Sequence, residues 1–312
     1  MKALVLGGTQ FVSRTLAMEL IAAGHEVSIL TRGQRPVDYL GLSEHIVADR
    51  KDPSSIRCLR GRTFDAVWDV SGYDAADAQG VLDALLPAEG TRYVFVSSGA
   101  VYRPSDAPVG EDAPTGGNEH WGAYGLDKLA AEELLARRQR QEGFDLAVVR
   151  PAYVYGPGNN LYREAFFFDR IAAGRAVPVP RGGTTAQFVF IADLVRMLVS
   201  LATCPFRGYE AFNCAYPEAV GWKELVRAAA AAAGGEVRLK EVDCRGSFEA
   251  RSFFPFRDCT YLLDAGKAKR WGLEAPSTAL REGMRASCAW YRLARPRLSD
   301  PKMTRVDAVL AE

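Results

Sequence analysis

Residues 3–13, Ala3-Leu4-Val5-Leu6-Gly7-Gly8-Thr9-Gln10-Phe11-Val12-Ser13, join a short apolar run to a glycine pair and then to a segment whose apolar positions continue at helical spacing through Leu16 and Leu20, stopping at Gly24. This is a strand, a tight turn and a helix. The alternation repeats: residues 27–30, 45–48, 66–70, 93–96 and 146–149 read as further strands, with helical composition over 52–59, 75–86 and 124–142. Short apolar strands alternating with helices imply parallel strand-helix-strand units and a sheet covered on both faces. The expected fold is α/β, a doubly wound parallel sheet, with a smaller α/β region in the C-terminal half.

The rest of the chain sets limits around that reading. Its 312 residues carry 39 Lys+Arg against 38 Asp+Glu, a net charge of +1, so the basic excess that phosphate backbones or anionic membranes demand is missing and no nucleic-acid partner is expected. Six cysteines stand in no CxxC spacing and there are only three histidines, which argues against a zinc site and for a reduced, cytoplasmic protein. Residues 3–6 are too short for a secretory signal core, and no later run reaches membrane-spanning length. Loop-forming Gly156-Pro157-Gly158-Asn159-Asn160 and residues 178–183 mark a change of character. The expected organisation is a nucleotide-binding domain over 1–160 and about 186–215, a substrate-binding region over about 161–185 and 216–295, and a loosely held polar tail over 296–312.

In a doubly wound sheet ligands sit beyond the carboxyl ends of the strands, and the first strand-to-helix turn is the phosphate site. Three further segments stand in order after that turn: Val96-Ser97-Ser98-Gly99-Ala100-Val101-Tyr102, Tyr124-Gly125-Leu126-Asp127-Lys128, and Arg150-Pro151-Ala152-Tyr153-Val154-Tyr155-Gly156-Pro157-Gly158. Together, across about residues 1–290, they resemble the extended short-chain dehydrogenases/reductases of the NAD-dependent epimerase/dehydratase family. Within it, the GGTxFV reading is most similar to the branch that includes chloroplast stem-loop-binding proteins and many bacterial reductases. The resemblance implies a Rossmann-type domain, a small-molecule substrate and a homodimer formed through the helix that carries Tyr124. It also implies that Lys128 holds the nicotinamide ribose and that Asp49 contacts adenine.

The chemistry of the central trio can be argued from the residues themselves. Tyr124 and Lys128, four apart, share a helix face, where an ammonium near a phenol favours phenolate. Ser98, closing the fifth strand, can donate to the same substrate oxygen, so Ser98, Tyr124 and Lys128 are the candidate catalytic residues. Gly7, Thr9, Gln10, Phe11, Val12, Arg32, Asp49, Tyr124, Lys128 and Pro151 are the candidate cofactor contacts. The second strand ends in Leu30-Thr31-Arg32-Gly33, with no acid for a ribose 2′-hydroxyl and with Arg35 nearby, which favours NADP(H) over NAD(H).

Several positions depart from the family pattern. Gln10 and Ser13 replace two glycines of the turn; serine is small enough for close packing, whereas Gln10 must turn its side chain away from the phosphates. Where arginines usually hold a sugar-nucleotide diphosphate the chain has Ala186 and Phe254, leaving Arg163, Arg181 or Arg257 as substitutes and the phenylalanines of 253–256 to a core cluster. Gly99-Ala100 lacks the acidic pair of a dehydratase, while Glu119 and His120 precede the tyrosine motif as a candidate second proton carrier. The leading expectation is an NAD(P)-dependent oxidoreductase interconverting a ketone and a secondary alcohol. A redox-neutral sugar or nucleotide-sugar epimerase is the first alternative, and a non-catalytic or RNA-binding relative the second.

Overall fold

The computed structural model describes residues 1–244 and 246–311. Seven parallel strands form the central sheet in the order β3-β2-β1-β4-β5-β6-β11: β1 (Lys2–Leu6), β2 (Glu26–Thr31), β3 (Glu44–Val47), β4 (Ala66–Asp69), β5 (Arg92–Val96), β6 (Asp145–Pro151) and β11 (Tyr209–Cys214). The direction of winding reverses between β1 and β4, so a crevice opens there beyond the strand ends. The chain is a doubly wound, Rossmann-type α/β protein.

The two-residue period of β1 explains the layering. Ala3 and Val5 face one side, where they meet Leu16 and Leu20 of α1 (Phe11–Ala22) and Leu194 and Leu198 of α5 (Ile191–Ser200). Leu4 and Leu6 face the other, against Val81 and Leu82 of α2 (Ala75–Leu85) and Ala131 and Leu135 of α3 (Ala123–Glu142). A central strand covered on both faces is apolar throughout, which is why its sequence reads as a run and not as an alternation.

Three short pairs lie outside the sheet: β7 (Tyr153–Tyr155) with β10 (Phe188–Phe190), β8 (Val177–Pro180) with β13 (Leu239–Val242), and β9 (Thr185–Ala186) with β12 (Val220–Gly221). With α4 (Glu164–Ala172), α6 (Trp222–Ala233) and α8 (Leu280–Ala294) they surround a second core rich in aromatic residues, including Tyr153, Phe167, Trp222, Phe254 and Phe256, whereas α7 (Gly266–Arg270) buries Ala268 in the core on the α1 and α5 face of the sheet. The phenylalanines of 253–256 are therefore core residues, as expected.

Two expectations are corrected. Over 52–59 only Ile56–Leu59 is helical, as a single 3₁₀ turn. The Asp52 carboxylate accepts from the Ser54 amide (2.8 Å) and hydroxyl (2.7 Å), a local turn that competes with helix initiation. Residues 296–312 were expected to hang loosely, but the tail is docked. Asp300 pairs with Arg251, the Arg305 amide donates to the Ser252 carbonyl (2.8 Å), and α9 (Val306–Ala311) buries Val309. A composition that is polar on average hid one apolar anchor and one ion pair.

Candidate active site

The glycine turn is built for close approach. Gly7 and Gly8 have φ of +114° and +125°, and a Cβ at either would lie 2.8 Å from the Ser13 Cβ or 2.7 Å from the Ile29 Cγ2. Ser13 thus packs where the third glycine of the motif would be, its hydroxyl donating to the Gln10 carbonyl at 2.9 Å. Gln10 is the extended residue before α1 and its side chain makes no cap to the helix, so the first-turn amides of α1 have no side-chain cap at Gln10. Tyr39 flanks the turn by donating to the Gly8 carbonyl at 2.7 Å, and the adjacent Asp38 pairs with Arg14 of α1 at 2.8 Å. The glycine turn, which opens onto the uncapped N-terminus of α1, fits a dinucleotide pyrophosphate.

Arg32 and Arg35 are exposed beyond β2, and among the described residues neither has an ion-pair partner. The Asp49 carboxylate accepts from the Lys51 amide at 2.9 Å. Its neighbour Arg50 makes a two-pronged bond to buried Asp69 (2.8 and 2.7 Å), which also accepts from Tyr93 (2.9 Å) and the Gly72 amide (2.9 Å). Burial works against the Asp69 carboxylate, yet the Arg50 guanidinium holds its carboxyl below the usual range. No local sequence signal marks this pair, which locks the loop after β4 and so presents the Gly72 carbonyl.

Lys128 uses that carbonyl. Its Nζ donates to Gly72 O at 2.6 Å and to Val96 O, at the end of β5, at 2.8 Å. Burial pushes the ammonium down to about 8. One turn further along α3, Glu132 accepts from Ser97 and is held by Arg150 at 2.6 Å. Arg150 also donates to the Tyr102 hydroxyl at 2.8 Å, and that hydroxyl in turn to Asn213 Oδ1 at 2.8 Å. This buried network ties the end of β5 to α3, β6 and β11.

Ser98 follows β5, its hydroxyl accepting from the Ala100 amide at 3.1 Å. The start of α3 packs directly onto this turn, because Gly125 has no side chain where the Ala100 carbonyl approaches. The hydroxyls of Tyr124 and Tyr261 converge on Ser98, and that of Tyr261 donates to the Pro151 carbonyl at 3.1 Å. Tyr124 remains 36% exposed as a residue, its ring edged by Tyr73 and Trp121 at centroid distances of 6.5 and 6.4 Å.

The expected effect of Lys128 on the Tyr124 phenol is corrected. Burial raises this phenol, and the groups that oppose the rise are Ser98, Arg163 and Arg257, whereas the Lys128 ammonium is spent on two carbonyls. Helical spacing placed tyrosine and lysine on one face but could not show where the lysine head would turn.

Ala186 and Phe254 are fully buried and offer nothing to a diphosphate. Arg181 is exposed, Arg163 lies over the Tyr153 ring at 5.1 Å, and Arg257 lies over Trp121 at 4.7 Å. Glu119 and His120 are exposed; His120 lines a small cavity of about 60 Å³ with Gly99, Trp121 and Tyr261. No group of His, Cys, Asp and Glu among the described residues is arranged to hold a metal, and no described helix is long and apolar enough to cross a membrane.

Residues 3–215 match the NAD dependent epimerase/dehydratase family. The chain belongs to this family. Among similar proteins, the chloroplast stem-loop binding protein of 41 kDa b of Arabidopsis thaliana is 32% identical over 91% of this chain and 77% of its own length. A UDP-glucose 4-epimerase of Mycolicibacterium smegmatis is 28% identical over 75% of this chain and 83% of its own. The 2'-dehydrokanamycin reductase of Streptomyces kanamyceticus is 30% identical over 62% of this chain and 55% of its own. The fold is also that of a Thermotoga maritima UDP-glucose 4-epimerase, solved with UDP-glucose (TM-score 0.78, 19% identity, covering 95% of this chain and all of that one). Family membership makes the chain an NAD-dependent enzyme of the epimerase and reductase type, and the glycine cradle and the Ser98, Tyr124 and Lys128 cluster lie within the matched segment.

Proposed function

We propose that the chain is an NAD(P)-dependent ketoreductase that interconverts a ketone and a secondary alcohol on a small, sugar-like substrate. The observation that carries this reading is the packing of α3 onto the turn after β5, which brings Tyr124 to Ser98 while Lys128 reaches the end of the same strand. Bound nicotinamide dinucleotide supplies the two-electron redox chemistry. Gly7, Thr9, Gln10, Phe11 and Val12 would hold its phosphates, with Arg32, Asp49 and Pro151 as further contacts.

Ser98 positions the reacting oxygen, and Tyr124 passes a proton to or from it. Lys128 braces the Gly72 and Val96 carbonyls that frame the site. The free guanidiniums of Arg32 and Arg35 support a 2′-phosphate, hence NADP(H) in preference to NAD(H).

The purified protein tests this. Saturable oxidation of added NADPH with a keto sugar, faster than with NADH, is the expected result. Oxidised cofactor that survives dialysis, with sugar interconversion and no net turnover, would move the reading to a redox-neutral epimerase. Stem-loop RNA binding with no cofactor binding at all would sink the enzyme reading.

A further inference from the structure

Arg163 stands just before α4, where its guanidinium lies over the rings of Tyr153 (5.1 Å) and Phe256 (5.4 Å). Among the described residues the guanidinium makes one hydrogen bond, a long one from Nη1 to the Val154 carbonyl at 3.4 Å. Arg257 lies over Trp121 at 4.7 Å, with its Nε donating to the His120 carbonyl. Trp121 packs on both Tyr124 (6.4 Å) and Tyr153 (5.7 Å), so the two guanidiniums lie over one run of packed rings that reaches Tyr124.

Among the described residues no carboxylate forms an ion pair with either arginine. Glu164 is the acid whose charge acts on Arg163, but its oxygens are occupied by the Gly156 amide (2.8 Å) and the Asn159 side chain (2.7 Å). The nearby Arg251 is neutralised by Asp300. Both arginines are half-buried, and a half-buried cation without a counter-ion has lost part of its hydration, which an incoming anion offsets. Ring faces steady a guanidinium but leave its in-plane donors open to an oxyanion.

We infer that Arg163 and Arg257 form an oxyanion subsite beside Tyr124, so that the substrate carries a carboxylate or phosphate group close to its reacting carbon. This rests on the reading of Tyr124 as the proton carrier. It also accounts for Ala186 and Phe254: the anion is recognised at a different place from the one those positions would have served.

The test is calorimetric binding of glucuronate, glucose 6-phosphate and glucose to the NADP-loaded protein. At least one acid is expected to bind about tenfold or more tightly than glucose, the weight of one charged hydrogen bond, and which acid does so separates carboxylate from phosphate. Arg163→Gln should bring the acids to within a few-fold of glucose, Arg163→Lys should retain most of the preference, and Arg257→Gln should weaken it, all with cofactor affinity unchanged. Equal binding of all three sugars, no binding by either acid, or an Arg163→Gln variant that holds cofactor and keeps the preference overturns the subsite. Failure of every form to bind cofactor would instead count against the oxidoreductase reading, since the same titrations on the cofactor-free protein still report on Arg163.

Discussion

A Cβ on Gly125 would lie 2.4 Å from the carbonyl oxygen of Ala100. The helix that carries Tyr124 and Lys128 is thereby pressed against the turn that carries Ser98, and the obstacle is backbone, which cannot rotate away. Alanine in place of glycine inside a helix ordinarily stabilises by about 1 kcal/mol. Here Gly125→Ala is expected to destabilise instead, by about 1–3 kcal/mol, and to slow turnover by on the order of a hundredfold through misplacement of Tyr124. Thermal unfolding gives the sign directly; a stabilised variant would show that the contact is not tight.

Glu132 and Arg150 are both almost wholly buried and joined at 2.6 Å. Removing one member leaves the other as an unpaired charge in the core, so Glu132→Leu or Arg150→Met alone should cost about 3–5 kcal/mol. The double variant should recover a large part of that loss, because neither charge is then stranded. Urea denaturation of the three proteins checks this, and additive losses would count against a coupled pair.

Much of this was legible in the sequence because it rests on local pattern. The apolar runs and helical spacings gave the sheet and its covering helices, and the Gly7-Gly8 turn at the end of β1 marked the cofactor cradle. Ser98, Tyr124 and Lys128 could be nominated because Ser98 follows a recognisable strand and Tyr124 and Lys128 stand four apart on one helix. What stayed hidden depends on long-range contact. Nothing near Asp69 in sequence points to Arg50, and Trp121 and Tyr261, 140 positions apart in the chain yet with ring centroids 4.8 Å apart, meet only when the second half folds onto the first. The direction of the Lys128 head was invisible for the same reason, since one of its acceptors lies in the loop after β4 and the other at the end of β5.

Tyr124→Phe removes one hydroxyl and keeps the ring against Tyr73 and Trp121. Turnover is expected to fall by about 10²–10⁴-fold, the usual worth of a positioned proton carrier, with cofactor affinity within a few-fold of the parent. Stopped-flow turnover alongside fluorescence titration of NADPH separates the two effects. A variant that retains more than a tenth of the rate would assign proton transfer to another group, and Tyr261, whose hydroxyl also converges on Ser98, would be next to replace.

Burial pushes the Lys128 ammonium down to about 8, with Asp69 opposing the fall and Arg50 adding to it. In the unfolded chain the same lysine titrates near its ordinary 10.5. Between those values the unfolded state binds more protons at this position, so the contribution of Lys128 to stability is least favourable below pH 8 and improves as pH rises toward 10.5. The full improvement is at most about 3 kcal/mol. Lys128→Met lacks this titration while sharing every other ionisable group, so the difference in unfolding free energy, parent minus variant, should grow more positive from pH 8 to pH 10. A difference that stays flat across that interval would mean that the ammonium is solvated in the folded protein, contrary to its two carbonyl contacts.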